Sequence, residues 1–191
     1  HNSGLHIHIG AHILGENIDA WRRFAKLYTI YERVLIRFGF GDKINARCTL
    51  FSYAKPVGLS FLGTIHDLDQ NRSLMASRAF YKKIYDIKKN AINLRSLDFL
   101  KAIVNMNTIE FRNFNSTTEE TIIQNDINAV SHMVLAAASN NLDEDFLNYK
   151  LKQLEQQCLS ERAYLEQCSQ ILLRDMAELV DLIFDNNQYI I

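Results

Sequence analysis

Two short stretches of the chain pair side chains that can do chemistry. In Ser3-Gly4-Leu5-His6-Ile7-His8-Ile9-Gly10, two histidines stand one residue apart in an apolar, β-prone run. In Thr108-Ile109-Glu110-Phe111-Arg112-Asn113-Phe114, a carboxylate and a guanidinium have the same spacing. A strand's period of two sends His6 and His8 to one face, roughly 7 Å apart, and Leu5, Ile7 and Ile9 to the other. It also sets Glu110, Arg112 and Phe114 on one face, with Ile109, Phe111 and Asn113 opposite. Glu110 with one histidine offers oxygen and nitrogen ligands to a divalent ion, and Arg112 offers the planar fork that matches phosphate oxygens. That set suits magnesium and a nucleotide. Each pair has a plainer reading too: histidines with no ligand, and a structural Glu-Arg ion pair. His12 extends the first stretch to His-x-His-x-x-x-His, which opens a zinc reading on His6, His8 and His12, although His12 is expected in the turn before the next helix.

The bulk composition leaves this chemistry local. The 191 residues are 48% hydrophobic, enough for one well-buried domain, and 21 Lys and Arg balance 22 Asp and Glu to a net charge of -1. Such a balance gives no global attraction to nucleic acid or an acidic membrane. The three cysteines, Cys48, Cys158 and Cys168, form no Cys-x-x-Cys pair, which argues against a disulfide framework and for a cytoplasmic setting. No apolar run reaches the eighteen or so residues of a membrane span. The chain opens with His1 and enters its candidate strand by the fifth residue, so a preceding segment or a partner chain is expected to complete the site.

The elements that must position these residues can be read from periodicity. Apolar residues at Trp21, Phe24, Ala25, Tyr28, Tyr31, Val34, Leu35 and Phe38 predict a long amphipathic helix capped by Asn17 and stopped by Gly39 and Gly41. Residues 42 to 72 carry weak signals, with a turn at Lys55-Pro56-Val57-Gly58 and a polar, loop-like stretch from Thr64 to Arg72. A second helix is predicted over 73–89, with Lys82, Lys83, Lys88 and Lys89 on its polar side. Ala91 to Leu97 alternates as a strand, placing Ile92 and Leu94 on one face and Asn93 and Arg95 on the other. A helix capped by Thr117 or Thr118 should run to Ala138, and two more should follow between Asp143 and Asp185. In these last helices Leu165, Cys168, Leu172, Met176, Leu179 and Ile183 approach a heptad seam. The order predicts an α+β fold rather than regular βαβ units.

The opening stretch resembles the Gly-Leu-His-Val-His-Val signature of the amidoligase family, which belongs with glutamine synthetase and glutamate-cysteine ligase among the carboxylate-amine ligases. Ala91-Ile92-Asn93-Leu94 and then Thr108 to Thr117 resemble the same family's second block, Val-Asn-Leu followed by Thr-Ile-Glu-Phe-Arg-Leu-Phe-Asn-Gly-Thr. The likeness covers roughly residues 3 to 137, apart from the loop at 41–72. Asn113 stands in place of the usual leucine and Ser116 in place of glycine.

The resemblance implies an antiparallel, glutamine synthetase-like sheet packed against helices. Residues 1–142 would be the carboxy-terminal part of the catalytic domain and 143–191 a helical extension. It implies an ATP-dependent ligase that phosphorylates a small-molecule or peptide carboxylate, which an amine then attacks to form an amide. His6 and Glu110 would bind magnesium or manganese, His8 would contact the nucleotide phosphates, and Arg112 would stabilise the transferring phosphoryl group. Asn93 and Arg95 somewhat resemble the pair that grips the carboxylate in glutamine synthetase. The family's usual Glu-x-Glu strand lies upstream of the matching blocks, so this chain alone is expected to be inactive. Two other readings stay open: a zinc hydrolase or cupin-like protein on His6, His8 and His12, and a non-catalytic protein whose helices after Asp143 bind a partner.

Overall fold

A computed structural model describes residues 4–41, 50–70, 90–94, 107–158 and 160–171. The predicted helix at 73–89 and the seam from Leu172 onward lie outside them. The described chain combines helices with a small antiparallel sheet of three strands, β1 (Gly4–Gly10), β2 (Ile92–Asn93) and β3 (Thr108–Asn115), in the order β1-β3-β2. The helices are α1 (Ile18–Phe40), α2 (Leu50–Tyr53), α3 (Gly58–Gln70), α4 (Glu120–Ala138), α5 (Glu144–Gln157) and α6 (Glu161–Ile171). A short 3-10 turn, Ala11–Ile13, leads from β1 toward α1.

The helix α1 starts where Asn17 predicts, because the Asn17 Oδ1 accepts from the N–H groups of Asp19 at 3.0 Å and Ala20 at 3.4 Å. It does not stop at Gly39. It runs on to Phe40 and ends at Gly41, whose φ of 59° is the left-handed conformation that glycine adopts without cost. Gly39 instead allows a close approach, since the ring of Phe114 occupies the space that a side chain there would need. The sheet-facing side of α1 packs on β3 through Phe24 and Tyr28, whose ring centroids lie 6.3 and 6.2 Å from that of Phe111.

Two expectations fail here. The loop-like stretch from Thr64 is helical as far as Gln70, since α3 begins at Gly58 and buries Phe61, Leu62, Thr64, Ile65 and Leu68 on one side. Its polar content masks a helical stripe. Phe114 does not share a face with Glu110 and Arg112. Leu5 pairs with Phe114, but Ile7 pairs with Phe111, so β3 holds one more residue than β1 between those pairs. That bulge breaks the alternation and turns Phe114 toward α1, to the side where alternation already sets Asn113. Asn113 Nδ2 then donates to the Leu35 carbonyl at 2.9 Å and Asn115 Nδ2 to that of Phe40 at 3.0 Å. A smaller shift is at the start of α4, where Glu119 rather than a threonine holds the cap position and Thr117 Oγ1 accepts the Glu119 N–H.

Buried charge organises the helical layer. Glu32 of α1 has no exposure and accepts from the N–H groups of Val57 at 2.7 Å and Gly58 at 2.6 Å, and from the hydroxyl of Tyr164 at 2.6 Å. It thereby caps α3 and fastens α6 with one carboxylate. Lys26, also fully buried, reaches Asp69 of α3 at 3.3 Å and Glu144 of α5 at 3.2 Å, and Arg22 bridges the same two carboxylates. Removing the acceptor should strand three donors, so Glu32→Ala is expected to cost about 3–5 kcal/mol in urea unfolding, against roughly 1 kcal/mol or less for the exposed pair Arg162–Glu166.

Asp126 is the exception among these carboxylates. It is 2% exposed on the inner stripe of α4, its Oδ2 has no partner among the described residues, and burial raises its pKa to about 7. A carboxyl whose folded pKa lies above its unfolded value favours the folded state fully below about pH 4, and that contribution disappears as pH rises toward 7. Asp126→Asn should therefore flatten the decline in stability between pH 4 and 8 and be more stable than the parent at pH 8 by about 1–3 kcal/mol, as read from unfolding midpoints along a pH series.

Candidate functional site

The central strand β3 brings the two chemical stretches together. Glu110 lies directly opposite His8 of β1 and Asn93 of β2, and cross-strand partners share a face. The opposite face carries Ile7, Ile92, Ile109 and Phe111, all buried in the core. The division arises from the sequence itself, since each of the three strands alternates apolar and polar residues next to Glu110.

Glu110 is the meeting point. His6 Nδ1 lies 2.9 Å from Oε1, Asn93 Nδ2 donates to Oε2 at 2.7 Å, and Arg112 Nε stands 3.7 Å from Oε1. The Glu110 side chain is only 12% exposed and Arg112 17%, whereas His6 is 40% exposed. The carboxylate is thus oriented by side chains of two other strands and flanked by a guanidinium. Backbone pairing supports it: the Arg112 N–H donates to the Ala91 carbonyl at 2.8 Å, fixing β2 beside β3.

His8 faces the same way but stands apart from this cluster, with its Nδ1 3.0 Å from the Thr108 hydroxyl. His12 lies in the 3-10 turn, as expected, and its ring fills the place that a side chain on Gly10 would take. Among the described residues no group of three or more His, Cys, Asp or Glu side chains is disposed to hold a metal ion, and His6, His8 and His12 form no such group. Arg95, the other half of the predicted carboxylate grip, lies outside the described residues. So do the four lysines of the predicted helix at 73–89. Of the seam residues described, Cys168 is buried and Leu165 is half-buried.

Two features escape the sequence. Thr108 is the partner of His8, and Asn93 bonds Glu110; both depend on register, which alternation along single strands does not encode. Comparison with family models, curated proteins and solved structures finds no match for the chain.

The unequal settings of these residues give a direct test. Glu110→Ala deprives both the His6 ring and the Asn93 amide of an acceptor and should cost about 1–3 kcal/mol in urea unfolding. His8→Ala, at an exposed position with a single hydroxyl partner, should change stability by about 0.5 kcal/mol or less.

Proposed function

We propose that the chain supplies part of the catalytic site of an ATP-dependent carboxylate-amine ligase. The observation that carries this reading is the convergence of His6, Asn93 and Arg112 on the Glu110 carboxylate, from three strands and on one face of the sheet. The proposed sheet is of the glutamine synthetase-like kind, with α1 behind it and the polar face toward the nucleotide. The proposed reaction transfers the γ-phosphoryl group of ATP to a carboxylate; an amine then attacks the acyl phosphate, releasing phosphate and forming an amide.

The Glu110 oxygens suit a hard divalent cation held together with a nucleotide, while the imidazole of His6 is a softer donor. Magnesium is commonly bound by one or two protein carboxylates, with phosphate oxygens and water completing its shell, so a two-donor set is compatible with it. Glu110 and His6 would hold magnesium or manganese, and Glu110 would exchange one of its present hydrogen bonds for the ion. When bound, the ion supplies neutralisation of phosphate charge. Arg112 is the residue suited to meet the equatorial oxygens of the transferring group, because its fork is planar and permanently charged. His8 would contact the nucleotide phosphates with Thr108 orienting its ring. Asn93, whose amide donates to Glu110, would orient the ligand carboxylate. A segment or partner chain bearing further acidic ligands would complete the ion's surroundings.

The reading is tested by ADP release from the full-length natural protein with magnesium, ATP and a mixture of amino acids and peptides. Arg112→Ala should lower turnover by about 100-fold or more, the typical loss of a group that stabilises transition-state charge. Glu110→Gln, which keeps the shape but not the charge, should raise the magnesium concentration needed for half-maximal rate. If ATP neither binds nor turns over, or if Arg112→Ala leaves the rate intact, the ligase reading fails.

A further inference from the structure

A second site is suggested on the far side of α1. Arg33 lies nine residues beyond Phe24, half a turn round the helix from the aromatic side that meets the sheet. It lines a cavity of about 560 Å³ bounded by α1, α5 and α6. That volume falls in the range of small-molecule sites.

The lining has a definite chemical character. Ile30, Val34 and Leu154 supply apolar wall, and four glutamines, at 153, 157, 167 and 170, supply amides that can both donate and accept. Among the described residues that line it, none is acidic. Arg33 Nη1 donates to Gln167 Oε1 at 2.5 Å, and Gln167 in turn donates from Nε2 to the Gln157 carbonyl at 3.1 Å and accepts from the Cys158 thiol at 3.0 Å. A guanidinium held in place by a neutral amide, with no carboxylate among the described residues of the lining, keeps its charge for an incoming anion. Lys150 also lines the cavity, with its ammonium 5.4 Å from the centre of the Phe146 ring.

We propose that this cavity binds a small organic carboxylate bearing amide or hydroxyl groups. The carboxylate would meet the Arg33 guanidinium, the polar groups would meet the glutamine amides, and the carbon skeleton would lie on Ile30, Val34 and Leu154. Inorganic phosphate satisfies the charge but leaves the amides and the apolar wall unused. The inference is independent of the ligase reading, because none of its residues belongs to the Glu110 cluster.

Titration of the isotope-labelled chain with N-acetyl-L-glutamine, followed by NMR, tests it. Binding is expected at ~1 mM or tighter, with the largest shifts at the Arg33 Nε–H and at the Gln167 and Gln170 amides. The neutral N-acetyl-L-glutamine methylamide and inorganic phosphate should each bind at least tenfold more weakly. Arg33→Gln should abolish the response, and Val34→Phe, which fills the cavity while leaving the cation, should weaken it at least tenfold. Equal binding of the neutral amide or of phosphate to the natural chain overturns the proposal whatever the variants do. So does a response that maps to His6 and Glu110, or that survives both substitutions.

Discussion

The carboxylate of Glu32 is the constraint around which the helical layer is built. It sits in the middle of a helix that is covered on nearly every side, and a lone charge there would be prohibitively costly. The cost is offset only because three donors from other elements converge on it: two backbone N–H groups at the start of α3 and the hydroxyl of Tyr164 on α6. Burial still wins over those donors and leaves the Glu32 carboxyl above its ordinary pKa. The geometry is unforgiving, since any side chain at Gly58 would collide with the Tyr164 hydroxyl and a Glu32 oxygen. An apolar contact could slide by an ångström; this one cannot, so it sets where α3 and α6 stand against α1.

The same helix fixes the sheet by a different kind of contact. Its aromatic side meets Phe111, while Asn113 and Asn115 of β3 donate to carbonyls near its carboxy-terminal end and the bulge brings Phe114 to the same side. Without the extra residue, strict alternation would carry Phe114 to the polar face, beside Arg112. The bulge therefore has two effects at once: it keeps a large ring in the core, and it keeps the surroundings of Glu110 polar. Asn113 suits its place on the apolar side of β3 because its amide looks onto a helix carbonyl rather than onto grease.

How much of this is legible in the sequence follows from what is local. The α1 cap at Asn17, the apolar face of β1 and the polar faces at Glu110 and Asn93 are properties of short windows, and they emerge as expected. Register and bulges are not local. Alternation alone misplaces Phe114 for that reason, and it gives no sign of the bonds of Asn93 to Glu110 and of Thr108 to His8. The helix α3 is hidden because its polar residues, Asp67, Asp69 and Gln70 among them, look like loop until Lys26 and Arg22 are known to await Asp69. Gly39 and Gly41 show the same limit in miniature. Identical in type and two residues apart, one admits a ring and the other ends the helix.

The state of Glu110 determines what its cluster can do. Both oxygens already accept from neutral or basic donors, so the carboxylate is oriented at no further conformational cost when a ligand arrives. On the proposed reading a cation would take the place of one of these hydrogen bonds, with Asn93 holding the second oxygen. His6 is the more exposed of the two partners, and Asn93 on β2 is half-buried. Arg112 beside the carboxylate works in the opposite sense, since it repels a bare cation and attracts a phosphate. On the proposed reading, a cluster that combines the two preferences would take a cation and a phosphate together, the pairing that a metal-nucleotide complex presents.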